Sequence, residues 1–96
     1  AAAKGGLHNL TRELATQWAR KGIRVNALAP AWFETEMNSD TMFHDDAGIA
    51  YVESGTPMGR GGMAHELDGA LLLLASDAGS YMTGHVLLVD GGWTSV

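Results

Sequence analysis

A short apolar run, Ile23 to Ala29, lies between Gly22 and Pro30 and constrains the fold more than any other stretch. Gly22 can take the left-handed conformation that ends a helix. The run after it is mostly apolar and brief, as a parallel strand covered on both faces should be. Pro30 has no N–H to donate, so a ladder stops there. Molecules bound by open α/β sheets sit just beyond the carboxyl ends of the strands. Residues 30–37 are therefore expected to form a loop where a ligand would be touched.

The flanking patterns extend this reading. In residues 1–21, Ala3, Leu7, Leu10, Leu14 and Trp18 recur at three- or four-residue steps, which predicts a helix with one apolar stripe. Arg20 and Lys21 fall in its last turn, where positive charge suits the helix dipole. No Ser, Thr, Asp or Asn cap precedes Ala1. That leaves a frayed end, or a helix that belongs to something longer. Residues 38–55 read as short helical pieces, with Asn38, Ser39 and Asp40 as cap candidates and Met42, Phe43, Ile49, Ala50 and Val52 as a ragged apolar face. Gly55-Thr56-Pro57 ends that segment, and 59–62 reads as a flexible joint. A helix over 63–76 carries Leu67, Ala70, Leu71 and Leu74, widened by Leu72 and Leu73, and should be buried on more than one side. A strand over 85–89 follows, closed by Asp90-Gly91-Gly92.

Helix, strand, loop, helix, strand is a crossover unit, which implies parallel strands and a right-handed connection. Two strands make a poor sheet by themselves. The fold class is thus α/β, the last part of a larger doubly wound parallel sheet. The chain of 96 residues suits one small partial domain, with no internal boundary. It divides into an opening helix (1–21), a strand and loop (22–37), a variable segment (38–62) and a late helix with the last strand (63–96).

Composition removes other classes. A net charge of −5 with no basic stripe argues against nucleic acid. The absence of Cys excludes disulfides and thiolate metal sites, and fits a reducing, cytoplasmic setting. No run reaches the ~18 apolar residues of a membrane span, and no signal peptide is expected. His8, His44, His65 and His85 lack metal-site spacing. In His44-Asp45-Asp46 adjacent side chains on a helix point apart, so that cluster reads as solvated surface. No Gly-x-Ser-x-Gly hydrolase turn is present.

Five blocks carry a family likeness: Lys4-Gly5-Gly6-Leu7, Gly22 through Pro30, Thr56-Pro57-Met58-Gly59-Arg60, Leu74-Ala75-Ser76-Asp77, and Thr83-Gly84 with Val89-Asp90-Gly91-Gly92. In order and spacing the chain resembles the carboxyl-terminal portion of the short-chain dehydrogenase/reductase family. The resemblance implies a Rossmann-type fold, NAD or NADP as cofactor, and interconversion of an alcohol and a carbonyl on a small-molecule substrate. Lys4 matches the Lys of the family's Tyr-x-x-x-Lys signature, and the Tyr would fall one place before Ala1. The implied role of Lys4 is catalytic: it bonds the nicotinamide ribose and, as a nearby cation, lowers the phenol's pKa. A solvated helix Lys is the alternative on pattern alone.

Pro30, Ala31, Phe33 and Thr35 match the loop that contacts cofactor in the family. Backbone groups at Phe33 would hold the nicotinamide carboxamide, while its ring could equally plug the core. Thr35 would bond cofactor or cap the next turn. Ala31 departs from the family's Gly, and would be strained if that position needs positive φ. Asn26 matches a structural Asn. Residues 36–58 match the substrate lid; Trp32, Met37, Met42, Phe43 and Tyr51 could line an apolar pocket or form local core.

Two further readings stand beside the dehydrogenase fragment. The chain could be a non-enzymatic assembly module of the same fold, since the late helix and last strand face a second subunit in the family. It could also derive from an enoyl reductase of related fold. The expected partners are a missing amino-terminal half or another copy of the chain, in a homo-oligomer. Without the phenol, the 96 residues are expected to be inactive alone.

Overall fold

The computed structural model describes residues 2–34 and 45–95. Helix α1 (Ala2–Trp18) runs into a 3-10 turn, Ala19–Lys21. Gly22 ends it at φ 79°, donating its N–H to the Ala19 carbonyl at 3.1 Å. Only glycine adopts that φ without cost, so the helix stop is written at this residue.

Strand β1 is Ala27–Pro30, which starts later than the expected 23–29 and takes in the proline; Pro30 does not stop the ladder, because Ala31 N–H beyond it still donates to the Val89 carbonyl at 3.3 Å. Over 24–26 one backbone bond, from Gly84 N–H to the Val25 carbonyl at 2.8 Å, is joined by side-chain bonds. Val25 N–H donates to Thr83 Oγ1 at 3.1 Å, Asn26 Nδ2 to the Met82 carbonyl at 2.9 Å, and His85 N–H to Asn26 Oδ1 at 3.1 Å. Arg24 donates to the Met82 and Ser76 carbonyls at 3.2 and 3.1 Å. Regular pairing begins where these polar side chains end. The expected cover on both faces is also not met: β1 is half-buried to exposed, and Ile23 is 46% exposed.

β1 pairs with β4 (Val86–Val89) in a two-stranded sheet. Ala27 N–H donates to His85 and Ala31 N–H to Val89, so both strands advance together and the pair is parallel. A second parallel pair joins β2 (Phe33–Glu34) to β3 (Gly62–Met63), with Phe33 opposite Gly62. Of the expected joint 59–62, Gly62 is therefore part of a strand.

The late helix is also shorter than the predicted 63–76. Ala64–Leu67 forms a 3-10 turn and α3 spans Asp68–Ala75. No residue of α3 is buried; Leu71 and Leu72 are 57% and 66% exposed. The apolar circumference is real, but the described residues do not cover it.

The chain forms two compact units, Ala1–Ala29 with Gly69–Leu87, and Pro30–Asp68 with Leu88–Val96. In the first, Ala15 and Thr11 are buried, and Thr11 Oγ1 returns a bond to the Leu7 carbonyl at 2.7 Å. Gly79 is buried beneath the Leu73 carbonyl oxygen, where a Cβ would collide with backbone. In the second, Phe33, Val52 and Thr56 are buried. Helix α2 (Asp46–Gly55) packs Val52 inward and starts at Asp45, whose carboxylate accepts the Gly48 N–H at 2.7 Å. Asp45 is thus a helix cap rather than idle surface. The cap candidates Asn38, Ser39 and Asp40 lie outside the described residues.

Candidate functional site

The loop leaving β1 is built on backbone bonds. Ala31 N–H donates to the Val89 carbonyl at 3.3 Å, and Gly62 N–H donates to the Trp32 carbonyl at 2.8 Å. Among the described residues every positive φ belongs to glycine. Ala31 therefore sits in ordinary backbone space, and the strain its departure from Gly could have caused is absent. Phe33, 9% exposed, lays its ring over Gly62; a Cβ at Gly62 would fall 2.6 Å from Phe33 Cδ2. The ring is core, as one of the two sequence readings had it.

Trp32 joins an aromatic cluster. Its ring lies 5.9 Å from Tyr51 at 81° and 5.4 Å from Trp93 at 78°, both edge-to-face, and Tyr51 and Trp93 are 5.7 Å apart. Such geometry lets the positive ring edge meet the negative face. Sequence reasoning missed Trp93. Its signal was an aromatic directly behind the Gly91-Gly92 turn, where a ring can be swung back onto preceding structure. Trp32 Nε1 is buried and has no hydrogen-bond partner among the described residues. A buried donor of this kind ordinarily finds an acceptor.

Trp32, Phe33, Thr56, Met58, Val89 and Gly91 line a cavity of about 130 Å³. Pro30, Ala31, Trp32, Phe33 and Tyr51 thus gather in one unit. Lys4 lies in the first turn of α1, in the other unit. Thr35, Met37, Met42 and Phe43 lie outside the described residues. Among the described residues no group of three His, Cys, Asp or Glu could hold a metal, and no helix is long and apolar enough to cross a membrane.

The segment bordering the cavity is pinned by charge. Arg60 meets Glu66 bidentately at 2.7 and 2.9 Å, and Met63 N–H adds a bond to the same carboxylate at 2.9 Å. The Arg60 hydrogen bond, then the Met63 amide, hold Glu66 down from the usual 4.5 to about 2. A depressed folded pKa gives stability that is present above the unfolded value and lost as pH falls through the folded one. The contribution is modest, because both side chains are a third or more exposed and solvent screens them. Glu66→Gln is expected to melt lower than the parent above pH 4.5, with the gap closing towards pH 2. Thermal melts across that interval check it, and a gap independent of pH would contradict it.

The family model described as "Enoyl-(Acyl carrier protein) reductase" matches residues 1–94. A galactitol 2-dehydrogenase (L-tagatose-forming) from Cereibacter sphaeroides is 48% identical over 93 residues, covering 97% of this chain and 36% of that protein. A crystal structure of gluconate 5-dehydrogenase from Burkholderia cenocepacia J2315, in complex with NADP and tartrate, superposes with TM-score 0.88 at 43% identity, covering 99% of this chain and 37% of that one. A 4-hydroxyisoleucine dehydrogenase complexed with NADH gives 0.89 at 28% identity, covering 99% and 39%. The chain belongs to the short-chain dehydrogenase/reductase family. Its fold is a carboxyl-terminal part of the Rossmann-type sheet of that class. It spans little more than a third of the length of the curated relatives it matches.

Proposed function

We propose that the chain is part of an NAD(P)-dependent oxidoreductase that interconverts an alcohol and a carbonyl on a polyol or sugar acid. The observation that carries this is the superposition on the gluconate dehydrogenase with NADP and tartrate, over 99% of the chain. The names of relatives such as galactitol 2-dehydrogenase and gluconate 5-dehydrogenase supply the substrate class.

In this reading Lys4 bonds the nicotinamide ribose and stabilises the phenolate of an upstream Tyr. Pro30 and Ala31 shape the loop, Phe33 presents backbone groups to the carboxamide, and Thr35 adds a hydroxyl. A loop whose backbone is fixed by Ala31–Val89 and Trp32–Gly62 bonds orients a ring better than a free one. When bound, the nicotinamide accepts or donates the hydride. Trp32, Met37, Met42, Phe43 and Tyr51 belong to the wall and lid on the substrate side. The exposed leucines of α3 and the open first unit are faces for the upstream half or for another copy of the chain, in a homo-oligomer, and the setting is cytoplasmic. The description of the family model keeps an enoyl reductase as a second reading.

The test is turnover. A protein that restores the upstream half is expected to reduce NAD or NADP with a polyol or aldonate, and the 96-residue chain alone to do nothing. Turnover by the chain alone would remove the need for an upstream phenol, and reduction of an enoyl thioester in place of alcohol oxidation would favour the second reading.

A further inference from the structure

We propose that Trp93, which lies outside the loop and the lid, is a positioning residue that holds the lid helix α2 against the cofactor-side loop; this rests on the function proposed above. Three observations meet at its ring. Tyr51 and Gly55 are four residues apart on α2, so they share one helix face. Tyr51 tilts against the Trp93 ring at 5.7 Å, and Gly55 provides its seat, since a Cβ there would fall 2.5 Å from Trp93 Cζ3. From the other side Trp32 meets the same ring edge-to-face at 5.4 Å. One indole therefore touches both the helix and the loop.

The ring is held rather than merely adjacent. The Asp90 carboxylate accepts Gly92 N–H at 3.0 Å, Thr94 N–H at 3.2 Å and Thr94 Oγ1 at 2.6 Å, while Trp93 N–H donates to the Asp90 carbonyl at 3.0 Å. Gly91 and Gly92, at φ 59° and 93°, make the reversal that a side chain would resist. Met58 N–H donates to the Gly91 carbonyl at 3.0 Å, and a Cβ at Gly92 would meet Pro57 Cγ at 2.8 Å, so the turn is tied to the segment just after α2. The turn fixes Trp93, and Trp93 in turn fixes the spacing between α2 and Trp32. Changing that spacing shifts the lid while leaving the backbone bonds at Ala31 and Gly62 in place. The effect should fall on the substrate and spare the cofactor.

In the full-length enzyme, Trp93→Ala is expected to raise the KM for the alcohol about tenfold while the nicotinamide KM stays within about twofold. Trp93→Phe, which keeps an aromatic ring, is expected to restore most of the loss. Gly55→Val leaves Trp93 intact but fills its seat, and is expected to reproduce the substrate effect. An unchanged substrate KM in both Trp93→Ala and Gly55→Val would overturn the proposal, as would a parallel rise for substrate and nicotinamide. Hydrogen exchange gives a reading that needs no turnover: Trp93→Ala should speed exchange of the α2 amides relative to those of α3, and equal exchange would overturn the proposal. If the enzyme acts on no alcohol at all, the proposed function fails while the exchange result still judges Trp93. If Trp93→Ala does not fold, Gly55→Val decides.

Discussion

Replacing Lys4 by Met in the full-length enzyme is expected to lower kcat/KM by about 10²- to 10⁴-fold, the range that a positioned acid–base system contributes. Lys4 lies in the first turn of α1, one helical step beyond the place where the family's Tyr would stand. Residues at i and i+4 share a helix face, which is the spacing of the family's Tyr-x-x-x-Lys signature. A cation there favours the charged phenolate and lowers its pKa. Without it the phenol returns towards its ordinary value, and the proton leaves the alcohol less readily at neutral pH. The pH–rate profile should therefore move to higher pH as the rate falls. If Lys4 bonds the ribose as proposed, the nicotinamide KM should rise as well. A Lys4→Met enzyme within about threefold of the parent, with an unmoved profile, would return Lys4 to the role of a solvated helix residue.

Phe33→Ala has the largest expected effect on stability, about 3–5 kcal/mol, the usual cost of emptying a buried Phe site. The ring is 9% exposed and occupies the space above Gly62 that a side chain would otherwise take. It is opposite Gly62 in the β2–β3 pair, and the bond from Gly62 N–H to the Trp32 carbonyl lies beside it. Few large residues in that unit are buried, with Val52 as the fully enclosed one among the described residues. Against a total stability of about 5–15 kcal/mol for a typical domain, the loss would be a large share. Urea unfolding of parent and variant measures it. A loss below about 1 kcal/mol would show that the ring is not core.

The punctuation of the fold was legible in the sequence, because it depends on single residues with strict conformational demands. Gly22 ends the 3-10 turn that follows α1, the extended Thr56 before Pro57 ends α2, and the Gly91-Gly92 turn closes β4. The strand order and parallel sense followed from chain order alone. What escaped depends on contacts distant in sequence. β1 starts late where Asn26 and Thr83, 57 residues apart, bond to backbone through their side chains. β2 and β3 are two residues each, too short to show a period of two. Ala31 needed no glycine because the turn is made without positive φ, which composition cannot reveal. The cap at Asp45 was readable, since an Asp directly before a helical segment is a common start, but it was set aside with its charged neighbours. The place of Pro30 to Phe33 at the end of β1 followed from the apolar run and the proline. That of Trp93 did not, because its partners Trp32, Tyr51 and Gly55 come together only in the folded unit.

Isotope transfer tests the central claim most directly. A polyol or aldonate bearing deuterium on its carbinol carbon should be supplied to the full-length enzyme with oxidised NAD or NADP. The account predicts that the deuterium appears at one face of the nicotinamide ring as the carbonyl product forms, and that the 96-residue chain alone transfers none. Oxidised product without label on the nicotinamide would contradict it, as would label that passes only from a deuterated reduced nicotinamide to an enoyl thioester.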